Sequence, residues 1–251
     1  MTQTQKDRDA LREWAVFYES GLRRQNSDVN LTQAQIAKDR TRLEADPIEW
    51  IRFFFPEYCK FEFAEFQIKA IRRCIKHEEW FEVLSWARGL AKSTTVMFIV
   101  IYLALTKKKC NVMMASATQD SAVRLLDPYK KQLEENALIR AYYGVQVNLG
   151  NWCAEEFVAK CGCSFRAVGA GNAPRGSRNG AVRPDVLLVD DFDTDEGCRN
   201  PDTIDKNWTW WEKALYGTRD TAVKTLIVFC GNIIARDCCV VRAGHMADHW
   251  D

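Results

Sequence analysis

The sequence predicts an α/β domain built on a mainly parallel central sheet covered by helices on both faces, preceded by an N-terminal helical segment. Two observations carry this. Runs such as residues 185–190 and 224–230, apolar throughout except at their ends, read as strands buried on both faces, because a strand with one wet face would alternate apolar and polar residues. Helical patterns separate these runs, and strands alternating with helices fold into parallel βαβ units. Composition agrees: 47% hydrophobic and 27% charged residues over 251 positions is the make-up of a globular chain with a large core.

In chain order, residues 5–24 place Leu11, Trp14, Ala15, Tyr18 and Leu22 at helical spacing, an amphipathic helix. Residues 30–43 read as a second helix. Asp46-Pro47 opens a third, with Pro47 preset for the first helical position and Trp50, Ile51 and Phe54 on its apolar face. Residues 66–77 form another. A short strand follows at 81–86, then a helix at 92–106 whose apolar body predicts complete burial. Next come a strand at 110–117, a helix at 120–136 and a hairpin of 153–160 with 164–168 across Cys161-Gly162. After the strand at 185–190, Asn200-Pro201 caps a helix that runs to Tyr216 and stops at Gly217. The strand at 224–230 is the fourth buried one. We divide the chain into residues 1–55, a helical segment or lid, and residues 56–251, the core.

Several function classes are excluded. Lys+Arg 35 against Asp+Glu 34 leaves +1, so a globally basic nucleic-acid coat protein is out, although a local basic patch is not. The longest apolar run, residues 96–105, falls short of the roughly 20 residues of a spanning helix, and residues 1–12 are too polar for a signal peptide. Ten scattered cysteines suit a reducing compartment better than a disulfide scaffold. Cys161-Gly162-Cys163 is too tight for zinc, and Cys238-Cys239 with His245 and His249 has a usable histidine half but a poor cysteine half, so buried thiols beside a surface helix are expected. Trp208, Trp210 and Trp211 are expected in packing, and Lys107-Lys108-Lys109 as a solvated helix end.

Chemistry gathers at residues 86–94, Trp-Ala-Arg-Gly-Leu-Ala-Lys-Ser-Thr, between a strand and a buried helix. That is the setting of a phosphate-binding loop: amide N–H groups at a helix start, aided by the helix dipole, face an anion. Arg88, Gly89, Leu90, Ala91, Lys92, Ser93 and Thr94 are the candidate binding residues, with Lys92 reaching the β- and γ-phosphates and the Ser93 hydroxyl ligating Mg²⁺. Trp86 and Ala91 stand where the usual pattern has glycines. A second apolar strand ends in Asp190-Asp191, which supplies one carboxylate for the metal shell, Asp190, and one to orient and deprotonate a water, Asp191. Asp193, Asp195 and Glu196 follow. Gln67 beside Phe66 can read and stack on an adenine, and Cys230-Gly231-Asn232 at the fourth strand tip can sense the terminal phosphate.

Taken in order, Gln67, residues 87–94, residues 187–191 and residues 229–232 resemble the ATPase domain of tailed-phage terminase large subunits, as does the segment 46–58. The resemblance implies a P-loop NTPase of the ASCE (RecA-like) class that hydrolyses ATP with Mg²⁺ to drive double-stranded DNA into a procapsid. It implies a portal protein, a small terminase subunit and a homo-oligomeric ring, typically a pentamer, as partners, in the host cytoplasm and away from membranes. It assigns Lys92 and Ser93 to phosphate and Mg²⁺, Asp190 to the metal, Gln67 to adenine, Asn232 to the coupling motif, and Arg88 to a sensor in cis. The family usually has Glu at the position of Asp191, so either Asp191 or Asp193 is the expected base. Members usually carry a nuclease domain as well; the sequence ends at Asp251 shortly after the fourth strand, so nuclease activity is not expected of this chain.

Residues 157–184 contain no Asp or Glu and carry Lys160, Arg166, Arg175, Arg178 and Arg183 among five glycines, a mobile basic patch suited to DNA phosphates. Arg175 and Arg178 are candidates for an arginine finger given to a neighbouring subunit, or for DNA contact. A helicase-type translocase usually places two such domains on one chain and follows the first Asp with Glu, which this sequence does not; a GTPase would carry Asn-Lys-x-Asp, also absent. A nucleotide-binding scaffold with little hydrolysis is the remaining alternative.

Overall fold

The computed structural model describes residues 31–174, 178–220 and 222–251. The amphipathic helix read at residues 5–24, and Arg175, lie outside the described residues. Helix α1 (Gln33–Ala45) starts at a capping box between Thr32 and Gln35, and α2 (Pro47–Phe54) at Asp46, whose carboxylate accepts the N–H groups of Ile48 and Glu49. Helix α3 (Glu65–Lys76) leads into β1 (Trp80–Leu84), then α4 (Lys92–Leu105), β2 (Asn111–Ser116) and α5 (Gln119–Glu135). A short helix, α6 (Ala137–Tyr143), precedes β3 (Glu156–Val158) and β4 (Ser164–Gly169). Strand β5 (Val186–Val189), helix α7 (Pro201–Trp210), β6 (Leu226–Cys230), α8 (Cys239–Met246) and β7 (His249–Trp250) complete the chain.

The strands form one sheet in the order β3-β4-β2-β5-β6-β1-β7. Among the described strands of the sheet, the β3–β4 pair is antiparallel and the other pairs are parallel. One strand, β6, separates β1 from β5. Successive residues of each inner strand feed opposite faces. Val112, Met114, Val186, Leu188 and Val228 join a core with α1 to α6, while Met113, Ala115, Leu187, Val189 and Phe229 join a second core with α7 and α8. Helix α4 is apolar all round because it lies between layers: one side packs on the sheet, and Phe98 and Tyr102 meet Phe55 and Trp50 of the leading helical block at ring separations of 4.7 and 5.2 Å. Among the described residues no helix is long and apolar enough to cross a membrane.

Four sequence expectations change. Asn136 closes α5 and its side chain then caps α6, a helix the apolar pattern did not separate. The helix expected to run to Tyr216 is α-helical only to Trp210. It widens into a π-turn at Trp211–Leu215 and tightens through Tyr216–Thr218, so Gly217 lies inside the last turn. The wider turn delivers the fully buried Trp211 to the sheet, with Trp208 stacked on it at 4.7 Å, which bears out packing for the tryptophans. Lys109 is not solvated: its ammonium is buried and donates to the carbonyls of Glu78 (2.8 Å) and Lys224 (2.6 Å), tying three chain segments under the sheet, and burial pulls its pKa down. The basic stretch is not a single mobile patch, since residues 164–169 are strand β4. Arg166 there pairs with Glu156 across the hairpin, and Arg183 approaches Asp220 at 3.9 Å.

Candidate functional site

The strand tips bring the sequence-predicted residues together. Register sets β1 beside β6, Leu84 opposite Cys230, and the Gly231 N–H donates to the Leu84 carbonyl at 3.1 Å. The loop after β1 therefore runs beside Asn232. β5 lies on the other side of β6, so Asp190 reaches the same edge, the carboxyl end of the parallel strands where open α/β sheets take ligands. Gly231 has a packing reason to be glycine: a Cβ there would sit 3.0 Å from Val240 of α8.

The loop turns through two left-handed residues, Gly89 (φ 87°) and Ala91 (φ 57°, ψ 36°). Ala91 thus takes up, with a methyl group, the backbone that glycine supplies in the usual motif. It hands over to α4 with no side-chain cap, so the first N–H groups of the helix, at Lys92, Ser93 and Thr94, lie at an open helix start. The Lys92 ammonium folds back over the loop, donating to the Trp86 carbonyl and, at 3.0 Å, to the Asn232 side-chain oxygen. Ser93 Oγ donates to Asp190 Oδ2 at 2.5 Å, and the Asp191 N–H to Asp190 Oδ1 at 3.0 Å. Asp190 is buried, and burial pushes its carboxyl up to about 6; the Ser93 hydroxyl opposes this, and the Asp191 charge adds to it.

Gln67 and Phe66 sit against the loop's flank. Gln67 Oε1 accepts the Ala64 N–H (3.0 Å) at the start of α3, and its Nε2 donates to the Leu90 carbonyl (3.1 Å), so the amide fixes the loop to the helix. Phe66 meets Trp86 edge-on at 4.7 Å. Trp86, in the first glycine position, is buried, and its indole N–H has no partner. Arg88 is exposed and makes no ion pair among the described residues.

The two acidic alternatives separate cleanly. Asp193 accepts the Cys239 N–H at 2.9 Å on one oxygen and the Val240 N–H at 2.8 Å on the other, so it caps α8. Asp191 is exposed, with the left-handed φ of 46°. Its carbonyl accepts Ser116 Oγ at 3.3 Å and the Ala117 N–H at 3.4 Å. Arg178 is exposed and lines a cavity of about 590 Å³ with Asn172, Arg183, Trp210 and Lys213. The grouping of His245 and His249 with Cys238-Cys239 does not form: α8 ends at Met246 and His249 belongs to β7. Among the described residues the one cluster with metal-like spacing is Glu82, His249 and Asp251, whose carboxylates already pair with Arg73. Sequence reasoning missed the roles of Ser116, Gln119 and Gly169 around the acidic turn, because isolated small and polar residues at strand and helix ends carry no periodic signal.

No family model matches the chain, and no curated protein matches it. Among solved structures, the large terminase of bacteriophage HK97 matches with a TM-score of 0.52 and 15% identity over 79% of this chain. The match takes in 40% of that terminase, so this chain spans less than half of its length. At this identity the likeness shows the fold alone: an arrangement of sheet and helices like that of the terminase.

Proposed function

We propose that the chain is an ATPase motor module of a phage terminase large subunit, hydrolysing ATP with Mg²⁺ to move double-stranded DNA into a procapsid. The observation that carries this is one constellation: an uncapped helix start with Lys92, and a Ser93 hydroxyl on the buried Asp190 carboxylate. The donor chemistry fits the ligands. Uncapped N–H groups and an ammonium suit phosphates, and hydroxyl and carboxylate oxygens suit Mg²⁺. The terminase-like fold supports the DNA-packaging setting.

In this reading Arg88 to Thr94 hold the phosphates and Phe66 with Gln67 flanks the base. Ser93 and Asp190 would hold Mg²⁺, which would supply charge neutralisation at the phosphates. Lys92 exchanges the Trp86 carbonyl and Asn232 for phosphate oxygens, and the freed Asn232 amide reports on the terminal phosphate. Asp191 is the base that orients and deprotonates water, because Asp193 is spent on α8. Residues 56–251 are the ATPase core, and a neighbour's Arg175 or Arg178 completes the site within a ring. Double-stranded DNA, a portal protein and a small terminase subunit are the partners.

A comparison of Asp190→Asn with Asp191→Asn tests this. Asp190→Asn is expected to raise the Mg²⁺ concentration needed for nucleotide binding at least tenfold. Asp191→Asn is expected to keep Mg·ATP binding and lose turnover by about 10²-fold or more. Binding without turnover in the wild type would favour a nucleotide-binding scaffold.

A further inference from the structure

A closed circuit of contacts joins the acidic turn to the segment after β4. Ser116 and Ala117, at the tip of β2, hold the Asp191 carbonyl. Two residues on, Gln119 opens α5. Its Oε1 accepts the Gly169 N–H (2.8 Å) and the Asn172 Nδ2 amide (3.1 Å), and its Nε2 donates to the Ala167 carbonyl (3.3 Å). Asn172 in turn accepts the Trp210 indole N–H at 2.7 Å, and Trp210 stacks at 5.8 Å on Phe192, the residue after Asp191. The circuit is tight as well as closed. A Cβ on Gly169 would lie 2.2 Å from the Gln119 backbone nitrogen, so β4 and the start of α5 approach more closely than any other residue permits.

We propose that Gln119 is a positioning residue that ties Asp191 to the 170–174 segment, so that turnover depends on an amide remote from the phosphate loop. The inference rests on the ATPase reading. Asp191 sits at φ 46°, in the left-handed region, which is unfavourable for most residues with a Cβ and which Asp enters more readily than most, so neighbouring contacts can decide whether it stays there. The β2 tip gripping its carbonyl supplies such contacts, and Gln119 anchors the β2–α5 turn to β4. Without the anchor the turn relaxes, Asp191 leaves the left-handed region, and its carboxylate swings away from the site while the loop and Lys92 stay in place. Asn172 and Trp210 also line the cavity with Arg178 and Lys213, so a polyanion or a neighbouring subunit lodged there would press on the same circuit.

The test measures steady-state ATP turnover of Gln119→Ala, Gln119→Glu and Trp210→Phe together with amide hydrogen exchange. Gln119→Ala is expected to lower kcat by about 10- to 100-fold with KM for ATP within about twofold, since small misplacements of a catalytic group cost rates of this order. Gln119→Glu keeps both accepted hydrogen bonds and is expected to recover most of the rate. Trp210→Phe keeps the stack on Phe192 but loses the bond to Asn172, and is expected to lie between. Exchange at the Gly169 amide is expected to quicken in Gln119→Ala even without nucleotide. Faster exchange with unchanged kcat, equal loss in kcat from Gln119→Glu and Gln119→Ala, or a loss confined to KM would overturn the proposal while leaving the ATPase reading intact. A wild-type chain that binds ATP in the presence of Mg²⁺ but does not turn over would overturn both.

Discussion

Asp191 and Asp193 lie in one acidic turn, yet the backbone gives them opposite work. Both oxygens of Asp193 are occupied by the first N–H groups of α8, so Asp193→Ala is expected to cost about 1–2 kcal/mol of stability, the usual worth of a helix cap, which denaturant titration measures. Its effect on turnover should follow that loss of stability and vanish in Asp193→Asn, which can still accept a bond. Asp191→Asn should do the reverse, leaving stability unchanged and removing turnover. Asp190 makes a pH prediction. Its folded pKa of about 6 lies above the usual carboxyl value of 3.8, so the native state binds the extra proton between these values. Stability from this group is complete below pH 4 and is lost as pH rises through 6, in all about 3 kcal/mol. Without divalent cation, Asp190→Asn should therefore raise Tm at pH 7.5 and lose that advantage at pH 4.

At the scale of elements, the charged cluster around β1 holds the loop strand in register with its neighbours. Glu82 is fully buried in β1 and accepts from Arg73 of α3 and, at 2.6 Å, from the Trp80 indole, while Arg73 also reaches Asp251 at 2.7 Å beside β7. Glu82→Ala leaves Arg73 its pairing with Asp251 but takes the acceptor from the Trp80 indole and one partner from Arg73, and is expected to cost about 1–3 kcal/mol, read from chemical denaturation. The sequence announced β1 and its following helix well. Mainly apolar runs located β1, β2, β5 and β6, and the Asp46-Pro47 and Asn200-Pro201 pairs located two helix starts, because these signals are local. The Lys-Ser pair and the Asp pair were legible for the same reason. What escaped was set by tertiary geometry. The carboxylate of Glu82 in a buried strand, the burial of Lys109 and the capping by Asp193 each depend on a partner far along the chain, and no spacing encodes such a partner. The π-turn at Trp211 is likewise a response to the sheet surface it fills.

At the scale of the molecule, Arg178 is exposed on the cavity that Asn172 and Trp210 also line, and an exposed arginine in water gains little from its charge. If Arg175 or Arg178 completes a neighbour's site, turnover per chain should rise with protein concentration, and mixing Lys92→Ala chains with Arg175→Ala/Arg178→Ala chains should restore activity that neither has alone. Arginine fingers elsewhere raise turnover by about 10³- to 10⁵-fold, so even partial rescue would be plain in a phosphate-release assay. Rate independent of concentration, with a dead mixture, would instead point to Arg88 acting in cis.

If the site hydrolyses ATP, the Lys92 ammonium must compensate the charge on the β- and γ-phosphates. Mg²⁺-dependent phosphate release by the wild-type chain and by Lys92→Ala, with folding of both checked by circular dichroism, tests it most directly. Turnover is expected in the wild type, and its loss, together with loss of ATP binding, in a folded Lys92→Ala. Equal turnover and equal ATP affinity in the two proteins would contradict it.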